Sequence, residues 1–88
     1  MFEIKYQGMR LILSYHATRE MQYLGLDLED VKEIVERGYQ PRKRNPNTEE
    51  KWLNIGRKTY NVVISTVYNF FYEEEVWLIV HVGRFTRK

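Results

Sequence analysis

Apolar and polar residues alternate at the beginning of the chain and then change period. Phe2, Ile4 and Tyr6 alternate with charged residues, which is the period of a strand. A glycine-containing dipeptide at 7–8 interrupts the alternation. Residues 10–13, Arg-Leu-Ile-Leu, then predict a second short strand, paired with the first as a hairpin.

Two helical segments follow these strands. The first is predicted over 15–24, with Ser14 as its N-cap and Gly25 just after its end. The second begins after the N-cap Asp27, carries acid in its first turn and ends at 37–38. Apolar residues recur at helical spacing in both: Ala17, Met21 and Leu24, then Leu28, Val31, Ile34 and Val35.

The remainder of the chain has the pattern of strands and turns. The predicted elements are an edge strand over 39–44, a turn at 45–47, and strands over 51–55, 59–68 and 76–82. In the last strand one face is wholly aliphatic and is expected to pack against the helices: Val76, Leu78, Val80 and Val82. Trp77, Ile79 and His81 are expected on the opposite face.

This order of elements predicts an α+β fold. N-terminal strands precede two helices, and a three- or four-stranded antiparallel sheet follows, with the helices packed on one face. The 88 residues can build one hydrophobic core, so a single domain over 1–88 is expected.

Composition narrows the class of protein. The chain has no cysteine, which excludes disulfides, thiolate catalysis and zinc–cysteine sites, and favours a reducing compartment. Residues 1–5 lack the apolar core of a signal peptide, and no apolar run is long enough to span a membrane. We therefore expect a cytoplasmic protein without a membrane partner.

The distribution of charge is more informative than its sum. A formal net charge of +2 is too small to indicate nucleic-acid binding by itself. The basic residues form three clusters: Arg42, Lys43 and Arg44; Arg57 and Lys58; and Arg84, Arg87 and Lys88. Acidic residues concentrate at 27–36 and 73–75. Such separation suits an anionic ligand or a charged partner.

Residues 14–21 read Ser-Tyr-His-Ala-Thr-Arg-Glu-Met and lead into a Gly-Leu dipeptide at 25–26. This segment resembles the signature Ser-x-His-Ala-x-x-Arg-Met-x-x-Arg-Gly-Ile of BrnT-like toxins and allied domains of the RelE/ParE-like superfamily. The Asp-x-x-Asp-Val at 27–31 resembles the family's second helix. Gly-Arg at 56–57 before Asn-Val-Val-Ile at 61–64 resembles its glycine and Val-rich strand.

The resemblance implies a RelE-like fold in a toxin–antitoxin context, with RNA binding and metal-independent endoribonuclease activity. It also implies an antitoxin-like protein partner or a homodimer. The chain departs from the signature at two positions: the family arginines are replaced by Glu20 and Leu24, and Arg19 lies one residue early.

Cleavage of RNA through its 2′-hydroxyl needs a base, an acid and stabilisation of charge. His16 or His81 is the candidate acid/base, and Arg84 is a further catalytic candidate. Glu20 lies one helical turn after His16 and can pair with it. The alternative is that both histidines are structural or lie on a solvated face.

The candidate RNA-binding residues are Arg19, Arg42, Lys43, Arg44, Arg57 and Lys58. For the cluster at 42–44 the alternative is a charged edge strand that resists aggregation. No metal and no cofactor are expected, because the two histidines are far apart in sequence and no known ligand spacing is present.

Two functions follow from these residues. The first is an RNA-binding domain that cleaves RNA without metal. The second is a catalytically silent interaction domain that uses Trp52, Trp77 and the tyrosines to homodimerise or to bind an antitoxin-like partner. The three basic clusters and the histidine favour the first, and loss of the family arginines favours the second.

Overall fold

The structure is a computed structural model that describes residues 4–87. The elements are β1 (Lys5–Tyr6), β2 (Met9–Leu13), α1 (Tyr15–Leu24), α2 (Leu28–Arg37), β3 (Thr48–Ile55), β4 (Lys58–Asn69) and β5 (Glu74–Thr86). Phe2, which the sequence places in the first strand, lies outside the described residues, as does Lys88.

Both helices begin and end where the sequence predicts. The Ser14 side chain accepts a hydrogen bond from the Ala17 N–H, and Gly25 closes α1 in the left-handed conformation. At α2, Asp27 and Asp30 each accept the other's backbone N–H, which makes a capping box. These local bonds fix the start of α1, where the candidate histidine lies.

The sheet differs from the predicted one. All five strands join one sheet in the order β1-β2-β5-β4-β3, rather than a separate antiparallel sheet of three or four strands. β2 pairs with β5 in parallel, while the other pairs are antiparallel. Parallel partners need a long crossover, which here contains both helices and two strands, so local sequence pattern cannot reveal the pairing.

The predicted edge strand over 39–44 is wrong beyond its first residue. Tyr39 makes an isolated bridge to Trp52, and no strand follows it before β3. Pro41 has no N–H to donate to a ladder, so the chain leaves the sheet there. The turn expected at 45–47 is confirmed, because residues 46–47 form a turn.

A β-bulge in β5 overturns the predicted core face of that strand. Ile64 pairs with Ile79, but the preceding Val63 pairs with His81, so Val80 is an extra residue. The core therefore contains Trp77 and Ile79 before the bulge and Val82 after it. Val82 in the core and His81 on the opposite face are as predicted. Trp77 and Ile79 were expected opposite the core but belong to it, because the extra residue Val80 reverses the alternation between them and Val82.

The sheet wraps around α2 until its two edges meet. Val31, Ile34 and Val35 of α2 are buried in the same cluster as the core residues of β4 and β5. The Tyr6 hydroxyl of β1 donates a hydrogen bond of 2.9 Å to Glu49 of β3, at the opposite edge. Within residues 4–87 no helix has both the length and the apolar character needed to cross a bilayer.

Candidate functional site

Helix α1 lies along the edge of β5 that β2 leaves uncovered. The parallel pairing with β2 ends at Ile79, whose carbonyl accepts the Ser14 N–H. Further along the same edge, the Val82 N–H donates a hydrogen bond of 2.8 Å to Oε1 of Glu20. Glu20 thus satisfies a backbone donor of a strand edge and ties α1 to β5.

The second oxygen of the same carboxylate contacts both histidines of the chain. Glu20 Oε2 lies 2.9 Å from His81 Nδ1 and 3.3 Å from His16 Nε2. The two imidazole rings are nearly parallel, with centroids 6.4 Å apart. The fold therefore brings together two histidines that are distant in sequence, with a carboxylate between them.

The bulge and a glycine position His81. His81 lies opposite Val63, on the sheet face away from α2, because Val80 shifts the alternation by one residue. Gly83 leaves space beside the ring: a Cβ there would lie 3.0 Å from His81 Nε2 and 2.8 Å from the Asn61 amide oxygen. The Asn61 side chain and His81 Nε2 thus both border the space that the missing Cβ of Gly83 leaves open.

A cleft of about 630 Å³ opens over this cluster. It is lined by Tyr15, His16, Arg19, Glu20, Tyr23, Leu24, His81, Val82, Gly83 and Arg84. Tyr15 and Tyr23 expose 79% and 89% of their surface, so their rings are available to a ligand. The Arg19 guanidinium lies 5.9 Å from the Tyr15 ring centroid.

All three candidate catalytic residues, and Arg19 of the RNA-binding set, line this one cleft. Within residues 4–87, Arg84 is exposed and has no carboxylate partner. The cleft thus offers two positive charges, two imidazoles and two exposed aromatic rings around a single carboxylate.

The basic cluster at 42–44 lies outside the cleft but on the same face of the sheet as His81. Arg42 and Arg44 contact Oε1 of Glu50 at 3.6 and 3.5 Å. Glu50 pairs with Val63, and Val63 pairs with His81. Directly paired residues share a face and strands are about 4.8 Å apart, so Glu50 and His81 are separated by roughly 10 Å.

Arg57 and Lys58 lie at the far end of the β4–β5 ladder. The Lys58 ammonium donates to the Thr86 hydroxyl at 2.7 Å, and the Arg87 guanidinium donates to the carbonyl of Gly56. Arg84 pairs with Tyr60, two residues before this end, which corresponds to about 7 Å along the strand. These cations lie beyond the cleft, in the direction of Arg84.

The aromatic residues offered for an interaction surface are not all available. Trp77 is buried in the core, and Trp52 packs against Tyr39 and Phe85. Of the tyrosines, Tyr15 and Tyr23 in the cleft are the most exposed, and a second exposed aromatic group lies at the β4–β5 turn, where Phe70 and Phe71 each expose 85% of their surface.

The sequence did not reveal three features of the site. These are the anchoring of Glu20 on Val82, the place of Asn61 beside Gly83, and the meeting of both histidines on one carboxylate. The sequence predicts no metal because the two histidines are far apart along the chain. That premise fails in the fold, since one ligand atom each from His16, Glu20 and His81 lies within 4.8 Å of the others.

Comparisons of the chain with protein-family models, curated proteins and solved structures found no match. The likeness of residues 14–21 to the RelE/ParE-like signature therefore stays a prediction.

Proposed function

We propose that this chain is an RNA-binding domain of RelE-like type, and that it cleaves RNA without metal in the cleft between α1 and β5. The observation that carries the proposal is the convergence of His16 and His81 on Glu20, beside Arg19 and Arg84. General acid–base cleavage of a phosphodiester needs these groups in one place.

Glu20 supports acid–base chemistry by orienting both rings. Glu20 Oε2 lies within ion-pair distance of one nitrogen of each imidazole, which leaves the other nitrogen, Nδ1 of His16 and Nε2 of His81, free for a substrate. One free nitrogen removes the proton of the 2′-hydroxyl. The other, in a protonated ring, delivers a proton to the leaving 5′-oxygen.

The reaction is a transesterification. The 2′-oxygen forms a bond to phosphorus as the bond from phosphorus to the 5′-oxygen breaks. The products are a 2′,3′-cyclic phosphate and a 5′-hydroxyl, and the two histidines exchange protonation states. Arg84 and Arg19 stabilise the charge on the phosphoryl oxygens.

The cleft also suits a single-stranded substrate. Tyr15 and Tyr23 are exposed at its wall, and aromatic rings of this kind stack on unpaired bases. The cations at 42–44 lie on the same sheet face as His81 and extend the contact surface along the backbone of the RNA. A cytoplasmic location and an antitoxin-like partner belong to the same proposal.

The test is cleavage of a mixed single-stranded RNA in excess EDTA by wild-type protein, His16→Ala and His81→Ala. We expect the wild type to cut and to leave cyclic phosphate ends, and each variant to lose at least tenfold in rate, within the ~10²–10⁴-fold range of acid–base groups. Substrate with a 2′-deoxy sugar at the cut site should resist cleavage.

Gln22→Ala provides a matched control, since Gln22 is exposed on the same helix and does not line the cleft. It should cut at the wild-type rate, and all variants should melt at comparable temperatures. Cleavage that disappears in EDTA, or that survives both histidine substitutions, would contradict the proposal.

A catalytically silent interaction domain is the second candidate, and the exposed turn with Phe70 and Phe71 favours it. Surface aromatic residues of this kind are enriched in protein interfaces. Absence of cleavage by folded wild-type protein, together with a homodimer or a protein partner that Phe70→Ser with Phe71→Ser abolishes, would make this candidate the better account.

A further inference from the structure

We propose that His16, Glu20 and His81 also form a site for a divalent transition metal of the zinc class, and that an ion bound there inhibits the cleavage chemistry. The metal-binding part stands on the geometry of the three side chains alone. Inhibition rests on the proposed function.

The distances suit a small ion with nitrogen and oxygen ligands. Tetrahedral zinc with bonds of about 2.0–2.1 Å keeps its ligand atoms roughly 3.3 Å apart. Glu20 Oε2 lies 3.3 Å from His16 Nε2 and 2.9 Å from His81 Nδ1. These two pairs are therefore within a few tenths of an ångström of tetrahedral spacing, and the two histidine nitrogens, which lie within 4.8 Å of each other, approach that spacing through rotation of the exposed His16 side chain.

The surroundings hold the ligands in place. The Val82 N–H donates to Glu20 Oε1, which fixes the carboxylate and leaves Oε2 for an ion. Gly83 leaves the space beside His81 Nε2 open, so the ring can adjust to an ion on its other nitrogen. His16 is in the first turn of a helix capped by Ser14.

The donor set selects the class of metal. Two imidazoles and one carboxylate suit zinc and other borderline ions, whereas magnesium and calcium prefer oxygen ligands. The fourth position opens into the cleft, next to Arg19 and Arg84. These cations repel a metal and attract an anion, so an anionic fourth ligand such as phosphate is expected to strengthen binding.

A bound ion removes the base from the proposed reaction. Metal coordination displaces the protons from His16 Nε2 and His81 Nδ1, because an imidazole nitrogen binds a metal through its lone pair. Each neutral ring then carries its remaining proton on the free nitrogen, so neither ring can accept one from a 2′-hydroxyl. Zinc should therefore inhibit, and a chelator should restore cleavage.

The first experiment is a zinc titration of protein without an affinity tag, in competition with a chromophoric chelator and without RNA. We expect one ion per chain, and a dissociation constant raised at least tenfold in His16→Ala, His81→Ala and Glu20→Gln. Glu20→Gln keeps an acceptor for the Val82 N–H. Glu29→Gln, an exposed carboxylate on α2, should bind as the wild type does.

Nitrogen-15 spectra of the imidazole rings identify the ligand atoms. Zinc should move the resonances of His16 Nε2 and His81 Nδ1 more than those of the two outer nitrogens. The site is overturned if the wild type binds no zinc at 100 µM free ion, a concentration ~100-fold above a micromolar dissociation constant. It is also overturned if any of the three substitutions leaves affinity unchanged.

The two proposals fail separately. Zinc binding by a protein that cuts no RNA would keep the metal site and remove the proposed function. Cleavage by a protein that binds no zinc would keep the proposed function and remove the metal site. Wild-type cleavage that continues at saturating zinc would overturn the inhibitory role.

Discussion

At the scale of one residue, the Glu20 carboxylate both holds α1 against β5 and contacts the two candidate catalytic histidines. Its first oxygen accepts the edge N–H of Val82, and its second contacts both histidines. Glu20 occupies the position of a signature arginine in the family that residues 14–21 resemble. In this chain the residue is a carboxylate that lies between two imidazoles.

Tyr6 provides a residue-scale prediction about alkaline stability. Burial, and then the hydrogen bond to Glu49 and the charges of Glu49 and Glu36, raise the pKa of its hydroxyl well above the ordinary value. The unfolded tyrosine ionises near pH 10 while the folded one keeps its proton. Stability that is present below pH 10 is therefore lost as the pH rises above it.

The measurement is urea unfolding of wild type and Tyr6→Phe from pH 8 to pH 11.5. Below pH 10 the variant should be about 1 kcal/mol less stable, through loss of one hydrogen bond. Above pH 10 the free energy of unfolding of the wild type should fall relative to that of Tyr6→Phe by about 1.4 kcal/mol for each pH unit, because only the wild type releases this proton on unfolding. The variant should therefore become the more stable protein before pH 11.5. A difference that stays constant with pH would contradict the assignment.

At the scale of elements, the bulge in β5 determines which side chains reach the site. Ile79 and Val82 are both buried although they lie three residues apart, and His81 lies on the opposite face from them. A bulge changes the direction in which the neighbouring side chains point, and bulges are common next to functional sites. The extra residue is Val80.

Deletion of Val80 tests this register. The pairs Ile64–Ile79 and Val63–His81 survive the deletion, so the variant should fold. Its free energy of unfolding should be lower than that of the wild type by at most about 2 kcal/mol. Loss of the bulge should reduce the local twist of β5 and change the direction in which the His81 side chain points relative to α1, which should lower cleavage at least tenfold.

Deletion of Leu78 is the matched control. It moves Val76 and Trp77 to the wrong faces of the strand, so the cooperative melting transition should be lost. Equal stability of the two deletions would show that Val80 is not the extra residue.

The elements themselves were predictable where local chemistry defines them. Ser14, Gly25 and Asp27 mark helix ends through hydrogen bonds to residues three or four positions away. The parallel pairing of β2 with β5 and the bulge depend on residues far apart in sequence, so no local period could reveal them. The same limit applies to the site: both histidines were recognised, but their meeting on Glu20 was not.

At the scale of the whole molecule, residues paired across three neighbouring strands connect the basic cluster at 42–44 with the cleft. Arg42 and Arg44 share the single carboxylate of Glu50, so this region keeps a net positive charge. The row from Glu50 through Val63 to His81 leads to the cleft. We expect an RNA strand to cross the sheet along this row.

The double variant Arg42→Gln with Arg44→Gln tests whether RNA crosses the sheet between residues 42–44 and the cleft. RNA affinity should fall, and the slope of log affinity against log salt should decrease by about 1 to 2, since up to two phosphate contacts are lost. Arg37→Gln is the control, because Arg37 is on α2, which packs on the other face of the sheet. An unchanged slope in the double variant would remove residues 42–44 from the RNA surface.

The place of β5 in the sheet also determines when the site can form during folding. β5 is the last described element along the chain, yet it lies between β2 and β4. Its pairing with β2 is among the most non-local contacts in the molecule, and such contacts form slowly because a long loop must close first. Until β5 docks, α1 presents His16 and Glu20 to solvent without their partner. The recovery of cleavage during refolding should therefore follow the slowest closure of the chain rather than the early formation of its helices.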